Sequence, residues 1–227
     1  MTQVHVLKIA AIAVAALSLS GCINVLPKTK PVQLYRFGYA PASVGKDSAA
    51  PVAGTVLTPV NLGEIDFPQE SMGDRITTTE ANEVTYVAGS RWAAPAKQLF
   101  AEAVREGFSR SATTVRLDPR GPVATQYRLD LNVHRFESAY ARGKPTVAVA
   151  LDARVIRLSD RAVVGQRYVK AEIAVRRNDM SMMAEAYDEA TSKAVSELVD
   201  FTQDTIAANP LPDTKVTVPP PPPPPAQ

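Results

Sequence analysis

The chain has 227 residues, with 25 Lys and Arg against 23 Asp and Glu and a formal net charge of +2. This near balance, with no basic or acidic block, lacks the electrostatic footprint of a nucleic-acid binder. A single cysteine rules out a disulfide within the chain, two histidines leave too few ligands for a zinc site, and the length suits one domain with tails.

Residues 1–21 read as a secretory leader. His5 and Lys8 precede an apolar run from Ile9 to Leu19, and small residues follow. The run is shorter than the roughly 20 apolar residues that a membrane-spanning helix needs. It ends on Leu19-Ser20-Gly21-Cys22, which resembles the bacterial lipoprotein signal, so Cys22 is expected to be acylated, with palmitate or a similar chain, and to become the first mature residue. Each buried CH₂ of an acyl chain contributes about 0.8 kcal/mol, so several chains hold a protein firmly in its leaflet. Residues 22–31 form the lipidated tether, which spans at most about 30 Å.

The domain is expected to cover residues 32–208. Val32 to Phe37 reads as a short strand, with an Ala/Pro-rich loop at 38–53 behind it. Thr55 to Leu62 is a second strand, and Pro59 places it at an edge or a bulge. Arg75 to Thr79 and Glu83 to Val87 form a hairpin around Ala81-Asn82. The period then changes. Pro95 suits a first helical turn, and Leu99, Phe100, Ala103, Val104 and Phe108 make one apolar stripe over residues 95–110. Ser111 to Thr114 should stop that helix.

Three alternating strands follow. They are centred on Tyr127 to Val133, Val147 to Val155 and Val169 to Val175, with a bulge near His134-Arg135 where Phe136 breaks the alternation. The short turns at Gly143-Lys144-Pro145 and Ser159-Asp160-Arg161 favour an antiparallel meander. The last helix carries Met183, Tyr187, Ala190, Ala194, Leu198, Phe201 and Thr205 on one stripe, and Asn178, Asp179 or Ser181 is expected to cap it. Residues 209–227, with prolines at 219–225, form a polyproline tail that cannot join a core. The fold class is α+β: one domain, a mostly antiparallel sheet with two amphipathic helices packed on one face.

No catalytic set emerges. His134 is the one histidine after the leader, and it sits in a strand. Ser43-Val44-Gly45-Lys46 matches a Ser-x-x-Lys pattern, but no helix positions it. Glu64 with Asp66 on a loop, and Asp130 with Asp152 across strands, read as solvated acids rather than a catalytic pair. No metal or cofactor is expected. Arg91-Trp92 stands out because Trp and Arg are enriched at interface hot spots. A lone Trp is more often a packing residue, and both readings apply. Tyr35 is a further candidate for a partner contact, with Tyr140 and Tyr168 weaker.

The order of elements resembles a known family. A lipoprotein signal leads to a Leu34-Tyr35-Arg36-Phe37 strand and then to Ser90-Arg91-Trp92-Ala93-Ala94-Pro95 ahead of a helix. Tyr127-Arg128-Leu129 begins a strand that runs to Arg135-Phe136-Glu137, and an Ala-rich helix closes the chain. This is similar to the ABC-type transport auxiliary lipoproteins of the PqiC/YmbA type, over roughly residues 22–208. The resemblance implies a non-enzymatic subunit at the periplasmic face of the envelope, lipid-anchored in the outer membrane. It implies contact with the MCE-domain protein of a lipid-transporting ABC system. Self-assembly of like subunits through sheet edges is a further expectation. The competing readings are a cell-wall-associated regulatory or structural lipoprotein, a hydrolase using His134, and a carrier holding an acyl chain between the long helix and the sheet.

Overall fold

The computed structural model describes residues 31–38, 57–118 and 124–211. The chain divides into two units, 1–32 and 33–227. Of the first, only Pro31 and Val32 are described, and both are exposed. Cys22, the 38–53 loop beyond Gly38 (with its Ser43 and Lys46) and the proline tail beyond Leu211 lie outside the described residues.

The second unit holds eight strands in one sheet and two helices. The elements are β1 (Gln33–Tyr35), β2 (Thr58–Asp66), β3 (Arg75–Glu80), β4 (Glu83–Trp92), α1 (Ala96–Ser111), β5 (Val115–Leu117), β6 (Tyr127–Ala141), β7 (Lys144–Arg157), β8 (Ala162–Ala174) and α2 (Met180–Ala208). The expected meander is present: β6 pairs antiparallel with β7, and β7 with β8. Arg142 and Gly143 both take positive φ, 52° and 74°, as a two-residue hairpin turn with the strands' twist requires. The β7–β8 turn is held by Asp160, whose carboxylate accepts from Arg157 and from the Ala162 amide. Those bonds lower its pKa to about 2.

The sheet as a whole is mixed, which corrects the expectation of a mostly antiparallel one. β1 runs parallel to β4, β2 parallel to both β5 and β6, and β3 parallel to β6. β2 and β3 occupy the same edge of β6 in tandem. β2 reaches Asn132, β3 starts at Ser138, and residues 67–74 leave the sheet between them. His134 is the extra residue of a bulge against β7 and falls beside this gap. The bulge shifts the phase of β6, so Val133 and Phe136 both point into the core.

Pro59 does not mark an open edge, because β5 covers β2 there. Thr58 donates to Thr114, so by strand alternation the Pro59 nitrogen faces the other side. It meets Gln126 there, one residue before β6 begins, where the missing donor costs no ladder bond within β6.

Tyr127, Leu129, Leu131, Val133, Val147, Val149, Leu151, Val155 and Val169 face one side of the meander and are buried. α2 lies against β7 and β8, and α1 packs on α2 and β5. Asp179 caps α2, its carboxylate accepting from the Met182 amide. α1 has no side-chain cap. Instead the Ala96 and Lys97 amides donate to the Gly73 and Met72 carbonyls, which satisfies the helix start from the loop before β3. The helices approach closely because Gly107 on α1 has no side chain. A Cβ there would collide with the Val195 γ-methyl on α2.

Gln203 on α2 ties down the turn between α1 and β5. Its side-chain oxygen lies 2.7 Å from the Thr113 amide and 3.0 Å from the Thr114 amide, with both threonine hydroxyls within 3.2 Å.

Candidate partner-contact surface

The segment singled out in the sequence sits where β1 meets β4. Leu34 is in register with Arg91, and Arg91 with Arg75, so the three form a row across β1, β4 and β3. Arg91 holds Asp74 through one nitrogen, Nη1, which donates to both carboxylate oxygens at 2.9 and 3.0 Å, and both side chains are about half exposed. Arg75 stacks over the Tyr86 ring, 3.7 Å from its centroid. Leu34 is 65% exposed. Tyr35 is half-buried, and its hydroxyl donates to Gln33 at 2.7 Å. The outer edge of β1 has no strand beside it among the described residues.

Trp92 behaves differently from its neighbour. It is 2% exposed and sits edge-on to Phe37 and Tyr187, with ring centroids 4.9 Å away in each case. Alternation along β4 sends Arg91 outward and Trp92 inward. The indole is therefore a packing residue and offers a partner no surface. Phe37, Trp92, Phe136 and Tyr187 form one aromatic cluster, to which Phe67 and Phe100 join through Phe136. The Tyr187 hydroxyl donates to the Thr77 carbonyl at 3.1 Å, and burial pushes its pKa well above the ordinary value.

The other sequence candidates scatter. Tyr140 donates to Asn178 at 2.7 Å, and burial raises its pKa. Tyr168 lies on β8, on the face opposite Val169, and is 55% exposed. His134 bonds Asp152, Nε2 to Oδ2, at 2.7 Å. Glu64 and Asp66 lie in β2 rather than on a loop, both exposed. Asp130 faces Arg154 in register rather than Asp152, and it is buried rather than solvated, paired with Arg128 at 2.9 Å. Among the described residues no group of three or more His, Cys, Asp or Glu side chains is placed to hold a metal, and no helix is long and apolar enough to cross a membrane.

The space between α2 and the sheet is filled by Leu151, Val169 and Leu198, each at 0% exposure. Two hollows among the described residues lie elsewhere. One of about 70 Å³ lies between the helices, beside Gly107 and Val195. It is worth about two waters by volume, too small for an acyl chain. The other, about 280 Å³, lies at one end of the sheet near Thr58, Tyr127, Ile206 and Leu211.

The described residues form a mixed sheet carrying two helices, an α+β arrangement. The model of the ABC-type transport auxiliary lipoprotein component family matches residues 43–199, and the chain belongs to that family. Its fold is similar to that of the protein XCC0632 from Xanthomonas campestris, at 21% identity and TM-score 0.64, over 78% of this chain and 97% of that one. An uncharacterized protein of known crystal structure is similar at 10% identity and TM-score 0.59, over 75% of this chain and 98% of that one. No curated protein sequence matches.

Proposed function

We propose that this protein is a lipid-anchored envelope subunit of an ABC-type lipid transport system, acting by contact and without turnover. The family match over residues 43–199 carries this reading. In it, Cys22 is acylated after removal of residues 1–21, and the outer membrane holds the anchor. The partner is an MCE-domain component of the transporter. The contact surface is the β1 end of the sheet, where Arg91 and exposed Leu34 share one face and half-buried Tyr35 stands on the other, beside a strand edge that is unpaired among the described residues. Further copies of the chain can add at that edge.

Two measurements test this. Intact-mass analysis of the membrane-extracted protein should show a Cys22-started, acylated chain, and Cys22→Ser should release it from membranes. Affinity capture from solubilised envelope should recover an MCE protein with its permease and ATPase, and Leu34→Glu with Arg91→Glu should lose them. An unmodified cysteine, or capture of cell-wall enzymes alone, refutes the reading.

A further inference from the structure

Thr191 stands on the side of α2 that meets α1, one turn before Val195. It is fully buried, and its hydroxyl has no hydrogen-bond partner among the described residues. A helical threonine can satisfy its hydroxyl on a carbonyl three or four residues back. Thr202, further along the same helix, does so, donating to the Leu198 carbonyl at 2.7 Å. Thr191 does not, so its hydroxyl has left bulk water and gained no protein contact in return.

The same residue lines the hollow of about 70 Å³ between the helices. Small residues border that hollow on the α1 side. Ala103 and Gly107 offer little side chain there, and Gly107 brings the α1 backbone directly against Val195. Each helical carbonyl keeps a second lone pair beyond its ladder bond. Ser111 on α1 and Ser192 on α2 add hydroxyls to the lining. Glu106 and Arg110 also border it, and they pair with each other.

We propose that this hollow is a hydration site, in which ordered water bonds the Thr191 hydroxyl and links α2 to α1. Two independent observations meet here. The volume matches about two waters, at about 30 Å³ each, and is too small for an organic ligand. The hydroxyl supplies what a purely apolar hollow lacks, since an apolar cavity of this size stays dry. A buried water makes about three hydrogen bonds. Thr191 provides one, and the α1 carbonyls with the Ser111 and Ser192 hydroxyls are the groups available for the others. An ion would need uncompensated charge, and the Glu106 carboxylate is already engaged by Arg110. The seam between the helices is therefore joined through solvent as well as by the close approach of Gly107 to Val195.

The test uses the mature chain, residues 22–227 with Cys22→Ser, and the same chain with Thr191→Val, which exchanges the hydroxyl for a methyl of nearly the same shape. Water-selected NOE spectra of the parent should show long-lived water beside the methyl groups of Ala103, Thr191 and Val195. Those cross-peaks should be lost in Thr191→Val. Urea unfolding supplies a test of sign. If water satisfies the hydroxyl, Thr191→Val leaves that water short of a partner and the unfolding midpoint falls. If the hydroxyl is dry and alone, the same substitution removes a buried polar group that had no partner, and the midpoint rises. A raised or unchanged midpoint overturns the proposal. So does a parent chain without water cross-peaks at these methyls, or one in which another protein group lies on the Thr191 hydroxyl.

Discussion

Arg91 and Trp92 are adjacent in sequence and opposite in role, and substituting each in turn tests the reading of this region. Trp92→Ala removes an indole that is 2% exposed and touches the rings of Phe37 and Tyr187. Truncation of a buried Trp costs about 3–5 kcal/mol, because the lost transfer energy is joined by a cavity the neighbours cannot refill. Domains of this size are stable by about 5–15 kcal/mol, so the loss is a large share of the total. At about 2–4 °C per kcal/mol for 150–250 residues, the melting temperature should fall by roughly 10 °C. Arg91→Ala breaks only a half-exposed pair with Asp74, worth about 0–1 kcal/mol, and should leave the melting temperature within a few degrees. Urea and thermal unfolding of the two variants, alongside capture of the transporter partner, separate stability from contact. If Trp92→Ala keeps full stability and abolishes capture, the indole is a contact residue and the packing described here is wrong.

Three further outcomes follow from the same geometry. Gln203→Ala strips acceptors from the Thr113 and Thr114 amides and should cost about 1–3 kcal/mol in urea unfolding; Gln203→Glu should keep most of that stability at neutral pH, and an equal loss in both variants would show that the donors do not matter. Gly107→Ala should destabilise by about 1–3 kcal/mol through its collision with Val195, with Val195→Ala in the same chain restoring part of the loss. Asp160 should titrate near 2 in a carboxyl NMR experiment. Its folded value lies below the ordinary 3.8, so its contribution is complete above 3.8 and disappears as pH falls through about 2. Arg157→Ala should move its titration back toward 3.8, and an unmoved midpoint would rule out the guanidinium as the main cause.

Local patterns were legible in the sequence, and long-range pairings were not. The α1 stripe of Leu99, Phe100, Ala103, Val104 and Phe108 is buried as its spacing implied. Alternation in β6, β7 and β8 located the meander, and the slip at Phe136 located the bulge. The parallel pairings of β2 and β3 with β6 left no trace, because they join segments with α1 between them and nothing local fixes their register. β5 was missed because three residues carry too little alternation to read. β4 ran past Val87 to Trp92, since its irregular stretch opposite Ile76, with Gly89 at positive φ, reads as the end of a strand. Of the contact candidates, composition singled out Trp92, but its burial depends on Phe37 and Tyr187, which lie far from it in the chain.

Any pull transmitted through the residues ahead of Gln33 enters the fold at β1. That strand is joined to β4 over only three residues, yet it is followed at once by Phe37, wedged among Trp92, Phe136 and Tyr187. Gly38 is clamped just beyond, its amide donating to Asp188 at 2.6 Å. Mechanical strength at this end therefore resides in one plugged ring and not in the strand's ladder. A tug strong enough to draw that ring out would peel away residues 33–38 as a unit in a single step, with β6, β7, β8 and α2 left standing behind it.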